Sequence, residues 1–188
     1  MEPVATPTSR RTALSKRLEA RARRIRLAIF DVDGVLTDGT LYIGKSGEEW
    51  KAFNILDGLG LKMLASSGVS VALLSGRKSA IVARRARETG VTHLLQGIAD
   101  KLDAYQALLH KLKLAEEETS FMGDDLPDLP VLRRCGLAFS VPNAPEIVRT
   151  HVHCITVSRG GSGAVREACE FLMRAQGTLE AQTRTYLR

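Results

Sequence analysis

The sequence feature that most constrains the fold is a short apolar run that ends in two closely spaced carboxylates. Residues 27–30 are all apolar, and Asp31, Asp33 and Gly34 follow within four positions. An unbroken apolar run of this length is typical of a strand buried on both faces of a parallel sheet. Ligands bind at the carboxyl ends of such strands, and residues two apart in an extended chain point to the same side. We therefore predict a ligand site at this strand end, the alternative being a polar turn without function.

The rest of the chain alternates between apolar strands and amphipathic helices. We predict strands near residues 26–30, 69–74, 91–95, 119–122, 137–141 and 154–157. The intervening helices are predicted near residues 59–67, 79–89, 101–113, 128–135, 145–150 and 162–175. This alternation is typical of an α/β protein with a doubly wound, Rossmann-like parallel sheet. Residues 40–43 and 49–53 flank a turn with two glycines and predict a β-hairpin flap after the first strand, followed by a loop over 54–60.

The predicted domain organisation has three parts, and the charge is concentrated in the first. Residues 1–24 form a basic, flexible arm, disordered over 1–12 and helical from about Ser15, residues 25–176 form the domain, and residues 177–188 form a polar tail. The net charge is +6, and residues 1–26 contain eight basic and two acidic side chains, so the remainder is neutral. A basic arm contacts an anionic surface or is simply solvated. The neutral body argues against nucleic acid as a partner.

Localisation follows from what the sequence lacks. No apolar run approaches the roughly 18 residues that a membrane span needs, and no apolar signal core begins the chain. The three cysteines are odd in number and have no CxxC spacing, which argues against a disulfide framework and a zinc site. We therefore expect a cytoplasmic protein with free thiols and no membrane contact.

Polar side chains lie at four places that a parallel sheet would bring together, the first being Asp31 and Asp33 after the first strand. Ser75, Gly76 and Arg77 follow the second strand, Lys101 opens a helix, and two further carboxylates, Asp124 and Asp125, follow the fourth strand. Several carboxylates in one cleft repel each other by about 4 kcal/mol per pair at about 4 Å and an effective dielectric constant of about 20. A divalent cation relieves this repulsion, and the ligand types suit Mg²⁺. The Ser75 hydroxyl, the Gly76 amide and the Lys101 ammonium would hold a phosphate.

This set of residues resembles the four motifs of the haloacid dehalogenase superfamily of phosphotransferases. The matching stretches are DVDGVLTDG (31–39), LLSGR (73–77), Lys101 and GDDLPD (123–128). The resemblance implies that Asp31 attacks phosphorus and that Asp33 transfers protons to the leaving group and from water. It also implies that Mg²⁺ binds to Asp31, the Asp33 carbonyl and Asp124, while Asp125 and Asp128 orient the surroundings of the metal.

The spacing between the motifs identifies a subclass without a cap domain. Only 44 positions separate Asp31 from Ser75 and 26 separate Ser75 from Lys101, whereas a cap domain needs about 50 residues or more. The site is then open, or a second subunit covers it. The predicted hairpin carries Tyr42 and Trp50, which a monomer would expose. We therefore predict a homo-oligomer, most simply a tetramer, unless the hairpin folds onto its own sheet.

Four longer stretches resemble one capless family, the 3-deoxy-D-manno-octulosonate 8-phosphate phosphatases, which are Mg²⁺-dependent, typically tetrameric and serve lipopolysaccharide biosynthesis. The resemblance covers residues 27–173 and is carried by DVDGVLTDGTLYIGKSGEEWKAFNILDGLGLKML, SGRKSAIVARRARETGV, GDDLPDLPVL and GGSGAVREACEFL. It implies a sugar-acid phosphate as substrate and allows the C-terminal tail to reach a neighbouring active site. The substrate contacts that it implies are Asn54, Ile55, Leu56, Asp57, Gly58, Lys62, Arg77 and Arg85.

Three other functions fit parts of the sequence. A nonulosonate 9-phosphate phosphatase would share every motif and differ only in its substrate. A nucleic-acid 3′-phosphatase would use the basic arm, although the neutral body has no aromatic and basic groove. An inactive oligomerisation module would not need the complete set of Asp31, Asp33, Lys101 and Asp124.

Overall fold

The computed structural model describes residues 7–187, with side chains from residue 15 onward. Its centre is a parallel sheet of six strands, with a two-stranded antiparallel hairpin beside it. In chain order the strands are β1 (Leu27–Phe30), β2 (Tyr42–Ile43), β3 (Glu49–Trp50), β4 (Ser70–Ser75), β5 (His93–Gln96), β6 (Thr119–Met122), β7 (Leu137–Ser140) and β8 (Cys154–Ile155). The predicted doubly wound α/β sheet with a hairpin flap and no cap domain is confirmed.

Strand β1 lies in the interior of the sheet, whose order is β5-β4-β1-β6-β7-β8. All four residues of β1 are buried, because neighbouring strands flank it and helices cover both faces. In this register Phe30 pairs with Leu73 of β4 and with Met122 of β6. The chain leaves β1 toward β4 and later returns to its other side at β6. This is the switch point at which α/β sheets bind ligands.

Two groups of helices cover the sheet. The helices are α1 (Pro7–Ala22), α2 (Ile55–Ser66), α3 (Ala80–Glu88), α4 (Lys101–Leu112), α5 (Leu129–Leu132), α6 (Glu146–Arg149), α7 (Ala164–Ala175) and α8 (Leu179–Arg184). Helices α1 and α2 both pack against α7, whereas α4 packs against α5. The α2–α7 contact is close because Gly60 has no side chain, and a Cβ there would lie 3.0 Å from the Arg166 Cα. No helix within residues 7–187 combines the length and the apolar character that crossing a membrane requires.

The hairpin projects apolar side chains into solvent. Tyr42 pairs with Trp50 across the two strands, and their exposed fractions are 46% and 63%. Ile43 is 68% exposed. The hairpin strands form a sheet of their own and do not join the central sheet, so the described protomer leaves this apolar surface uncovered.

The predicted strands at 40–43, 49–53 and 154–157 and the predicted helix at 128–135 are shorter in the structure, and three further segments differ in kind from the sequence-based expectation. The predicted loop over 54–60 is wrong beyond Asn54, because the Asn54 side chain accepts the Leu56 amide and starts α2 at Ile55. Helix α1 begins at Pro7 and not at about Ser15, so the predicted disorder over 1–12 is wrong for residues 7–12, and residues 1–6 lie outside the described part. The predicted polar tail contains α8, in which Arg184 and Glu180 pair at 2.6 Å.

Candidate active site

The four motif segments meet around one cavity of about 500 Å³ at the carboxyl ends of β1, β4 and β6. The cavity collects most of the residues predicted from sequence to do chemistry. Its lining includes Asp31, Asp33, Ser75, Gly76, Arg77, Lys101, Asp124, Asp125 and Asp128. The parallel register brings these segments together, because each begins directly after a strand or opens the next helix.

A buried lysine links two carboxylates at the base of the cavity. The Lys101 ammonium lies 2.7 Å from Asp31 Oδ1 and 2.5 Å from Asp128 Oδ1. All three side chains are at least nine-tenths buried. Lys101 is the first residue of α4, whose N-terminus is capped by the Asp100 side chain. The cap fixes the helix start and therefore the point from which Lys101 reaches Asp31.

Asp128 organises the segment that carries Asp124. Its Oδ1 contacts Lys101, and its Oδ2 accepts the amides of Asp124 at 3.0 Å and Asp125 at 3.2 Å. Both carboxylate oxygens therefore already have donors. This arrangement suits the predicted orienting role of Asp128. Asp125 caps the short 3-10 turn Leu126–Asp128 through Leu126 and is itself exposed.

The acidic cluster has the composition and spacing of a divalent cation site. Asp31, Asp124 and Asp128 each offer a carboxylate oxygen, and these oxygens lie within 4.8 Å of one another. Burial, together with the charge of Asp128, raises the pKa of Asp31 to about 7. Burial and the charges of Asp31 and Asp128 raise the pKa of Asp124 to about 8. One lysine does not neutralise this cluster, and hard oxygen ligands in this number suit Mg²⁺.

The segment after β4 forms the opposite side of the cavity. The Ser75 hydroxyl oxygen accepts the Arg77 amide at 3.2 Å, which leaves its hydrogen free to donate to a ligand. Ser75 is buried, whereas Gly76 and Arg77 are exposed at the cavity lining. The hydroxyl, the Gly76 amide and Lys101 together give the donor types expected around a phosphoryl group.

Gly34 is required where the loop after β1 passes Asp124. Its φ is +93°, and a Cβ at this position would overlap the Asp124 carboxylate. We expect Gly34→Ala to displace Asp124 and to lower the affinity for Mg²⁺ by about tenfold or more, since a ligand of the cluster would move. Calorimetric titration with Mg²⁺ measures this affinity.

Gly47→Ala is a matched control for that substitution. Gly47 also has a positive φ, +83°, but a Cβ added there would have no neighbouring atom within 4 Å. Both variants carry backbone strain of about 1–3 kcal/mol, and only Gly34→Ala adds the clash. Equal Mg²⁺ affinity in the two variants would contradict the prediction that Asp124 binds the cation and that its close approach to Gly34 sets its position.

Two residues that contact the cavity lining from behind were missed from sequence, and both come from the hairpin segment. Lys51 forms an ion pair with Asp33, and it lies 3.0 Å from Glu49. Glu49 in turn lies 3.7 Å from the Arg77 guanidinium. The only sequence signal was the placement of two charges beside Trp50, which is equally typical of a solvated hairpin strand.

The remaining predicted substrate residues do not line this cavity. Asp57 is 1% exposed, and its carboxylate accepts the amides of Gly163 and Arg166 at the start of α7. The hydrogen-bond partners of this carboxylate are therefore backbone amides. We assign Asp57 a structural role in place of the predicted substrate contact. Asn54 caps α2, and its carbonyl accepts Arg85 Nη2 at 3.1 Å.

The other members of that set lie on the surface near α2 and α3. Ile55 and Arg85 line a separate depression with Phe53, and Gly58 lies beneath Arg85. Leu56 is 54% exposed, and Lys62 is exposed. Their contact with a substrate stays a prediction, because a neighbouring subunit would have to bring this surface to a site.

Comparison with known proteins places this geometry in a family. The family model for haloacid dehalogenase-like hydrolases matches residues 81–167. The chain is 45% identical to 3-deoxy-D-manno-octulosonate 8-phosphate phosphatase KdsC of Yersinia pestis over 163 residues, which cover 87% of both chains.

Solved structures agree with the sequence match. A probable YrbI family phosphatase from Pseudomonas syringae pv. phaseolica 1448a has a TM-score of 0.90 and 54% identity, covering 92% of this chain and 98% of that one. The 3-deoxy-D-manno-octulosonate 8-phosphate phosphatase of Moraxella catarrhalis, solved with magnesium ion, phosphate ion and KDO, has a TM-score of 0.89 and 43% identity, covering 91% and 98%. With its four motif segments around one cavity, the chain belongs to the 3-deoxy-D-manno-octulosonate 8-phosphate phosphatase family of haloacid dehalogenase-like hydrolases.

Proposed function

We propose that this protein is a Mg²⁺-dependent phosphatase that hydrolyses 3-deoxy-D-manno-octulosonate 8-phosphate to 3-deoxy-D-manno-octulosonate and phosphate. The observation that carries the proposal is the contact of Asp31 with Lys101 beside the Asp124 carboxylate, at the centre of the cavity. A family relative binds magnesium, phosphate and KDO. The product would serve lipopolysaccharide biosynthesis.

The chemistry divides into two displacements at phosphorus. Asp31 attacks phosphorus, the bond from phosphorus to the sugar oxygen breaks, and Asp33 gives that oxygen a proton. Water then attacks the phosphorus of the aspartyl-phosphate, and Asp33 takes a proton from the water. The bond from phosphorus to the Asp31 oxygen breaks, which releases phosphate and restores the Asp31 carboxylate. Ser75 and Lys101 donate to the phosphoryl oxygens, and their fixed positions stabilise the charge that develops in both steps.

Mg²⁺ would bind to Asp31, the Asp33 carbonyl and Asp124. When bound, it would screen the repulsion between the Asp31 carboxylate and the phosphoryl group. The fit rests on the 4.8 Å cluster of carboxylate oxygens and on the raised pKa values of Asp31 and Asp124. Asp128 would keep its contacts with Lys101 and the backbone and would orient Asp124.

Mg²⁺ affinity should increase with pH. The pKa of Asp31 is raised to about 7 and that of Asp124 to about 8, so both carboxyls hold protons below these values in the metal-free protein. A cation must displace these protons, and we expect its apparent affinity to rise at least about tenfold between about pH 6 and pH 8. The increase in melting temperature caused by Mg²⁺ should be larger at the higher pH. An equal increase at both pH values would contradict the prediction.

A phosphate-release assay over a panel of sugar-acid phosphates, with and without Mg²⁺, tests the proposed substrate. The octulosonate 8-phosphate should give the highest kcat/KM, and chelation of Mg²⁺ should abolish turnover. Faster turnover of a nonulosonate 9-phosphate would instead identify the related enzyme. Turnover of a 3′-phosphorylated oligonucleotide, with salt-dependent binding, would support the nucleic-acid alternative. Absence of phosphatase activity on every substrate would leave an oligomerisation module.

We also propose that the active protein is a cytoplasmic homotetramer whose hairpins pack together. The exposed Tyr42, Ile43 and Trp50 side chains support association, because a monomer would leave this apolar surface in water. The cytoplasmic assignment is supported by three cysteines that are all free thiols.

Trp50→Glu should weaken the assembly. The tryptophan is 63% exposed in the protomer, and a charge buried at its position between subunits would cost several kcal/mol. Light scattering should show four times the 20.5 kDa protomer mass for the wild type and a smaller species for the variant. Ile147→Glu, at an exposed apolar residue outside the hairpin, should keep the wild-type mass. A wild-type mass of one protomer would contradict the proposal.

A further inference from the structure

The hairpin segment places a buried lysine behind the wall of the active site. The Lys51 side chain is 1% exposed, and its ammonium contacts the carboxylates of Asp33 and Glu49. Within the described side chains, Lys51 is the cation that pairs with Asp33. A buried ammonium without partners would be strongly unfavourable, so these two carboxylates determine where the Lys51 side chain lies.

The contacts continue from Lys51 to a second residue of the cavity. Glu49 lies 3.0 Å from Lys51 and 3.7 Å from Arg77. Asp33 and Arg77 line the cavity, whereas Lys51 and Glu49 are outside its lining. The four residues form a row of alternating charges: Asp33 and Arg77, from the loops after β1 and β4, line the cavity, and the hairpin contributes Lys51 and Glu49 between them.

We propose that Lys51 is a positioning residue that holds the Asp33 carboxyl group where the leaving oxygen departs, because its ammonium donates to Oδ1 and leaves Oδ2 to carry the proton that is transferred. The inference rests on the proposed function and deepens it. Asp33 follows β1 in a loop, and its side chain is 21% exposed, so the strand alone does not fix its rotamer. The ion pair with Lys51 ties it to the hairpin. The hairpin therefore does more than present a surface for association, because it also orders the group that transfers protons.

The contribution of Lys51 to the rate should depend on the leaving group. A sugar alkoxide is a poor leaving group and needs the proton that Asp33 supplies as the bond from phosphorus to oxygen breaks. A para-nitrophenolate leaves without that proton. Misplacing Asp33 should therefore slow cleavage of a sugar phosphate far more than cleavage of para-nitrophenyl phosphate. General disorder of the site would slow both substrates alike.

The test compares Lys51→Met with wild type on both substrates at saturating Mg²⁺. The parameter is kcat/KM, which reports steps up to release of the alcohol and excludes hydrolysis of the aspartyl-phosphate. We expect kcat/KM for the sugar-acid phosphate to fall about 10²-fold, with a much smaller loss for para-nitrophenyl phosphate. Lys51→Arg keeps the charge and should recover part of the loss. Lys45→Met removes an exposed lysine from the hairpin turn and should match wild type on both substrates.

Each outcome decides the proposal. Equal losses on the two substrates, or no loss on the sugar-acid phosphate, would overturn the positioning role while wild-type turnover still supports the proposed function. If wild type fails to cleave the octulosonate phosphate, the proposed function fails. The comparison of Lys51→Met with wild type is then made on the alkyl phosphate that the wild type cleaves best. Where melting curves show that Lys51→Met is unfolded, Lys51→Gln is measured in its place, with the same ratio deciding the outcome.

Discussion

Asp31→Asn should lose turnover by about 10⁴-fold or more while keeping the fold. The asparagine amide cannot form the acyl phosphate, and loss of a nucleophile removes the whole covalent route. The substitution also removes a charge from a crowded site. Burial and the neighbouring Asp128 raise the pKa of Asp31 to about 7 in the folded, metal-free protein. Ionisation of this carboxyl above about pH 7 therefore costs stability, and an asparagine does not ionise. Above that pH we therefore expect the variant to unfold at or above the wild-type temperature without Mg²⁺.

The measurements for this variant are kcat on the best sugar-acid phosphate and melting temperature at about pH 8 in a chelator. Asp103→Asn is the control, since Asp103 is an exposed carboxylate on α4 outside the cavity lining. It should keep wild-type kcat. Near-normal turnover by Asp31→Asn would show that another group attacks phosphorus. A large drop in melting temperature would show that the site needs the negative charge for folding.

Lys101→Met should reduce both turnover and stability. The ammonium lies within 2.7 Å of Asp31 and at 2.5 Å from Asp128, and its removal leaves two buried carboxylates without their cation. Breaking a buried ion pair from one side costs about 3–5 kcal/mol. Loss of one fixed donor to the transferring phosphoryl group lowers kcat about 10²- to 10³-fold.

The stability loss should depend on Mg²⁺ and pH. A bound cation replaces part of the missing charge, so saturating Mg²⁺ should recover much of the melting temperature but little of the kcat. Lys101 lowers the pKa values of both Asp31 and Asp124, which are about 7 and about 8 in the wild type, so in the variant both carboxyls keep their protons to a higher pH. Protonation at lower pH relieves the same repulsion, and the destabilisation should shrink. Lys111→Met, on the exposed face of the same helix, should change neither quantity. A loss of stability that is equal at all pH values would contradict the electrostatic origin.

The pattern of strands and helices could be predicted from sequence because the apolar pattern and the capping residues of each element lie within its own segment of the chain. Strand β1 reads as four apolar residues, and its burial on both faces follows from that run. Helix α4 reads from its Asp100 cap and its apolar spacing, and the observed helix begins at the predicted Lys101. The errors fell where a local signal was ambiguous. Gly58 and Gly60 suggested a loop, whereas contacts with Arg85 and Arg166 need small residues inside a helix.

The candidate site divides in the same way. Asp31, Ser75, Lys101 and Asp124 were predicted because each lies beside a strand end or helix start, and the cavity contains all four. Lys51 and Glu49 were missed because the cavity residues that they contact, Asp33 and Arg77, are far away in sequence and belong to other elements. Asp57 was expected in the substrate site, but packing of α2 on α7 turned its carboxylate toward two backbone amides.

The sequence alone determined the sheet, the order of its motifs and the identity of the acidic and cationic groups. The spacing of apolar residues, the capping residues and the strand ends that indicate them are local properties of the chain. Only the tertiary structure decided which charges neutralise one another. Lys101 joins Asp31 to Asp128, and Lys51 joins Asp33 to Glu49, across gaps set by strand order and hairpin placement. The physical reason is that an ion pair depends on distance in space and burial, and neither is encoded in the spacing of two residues along the chain.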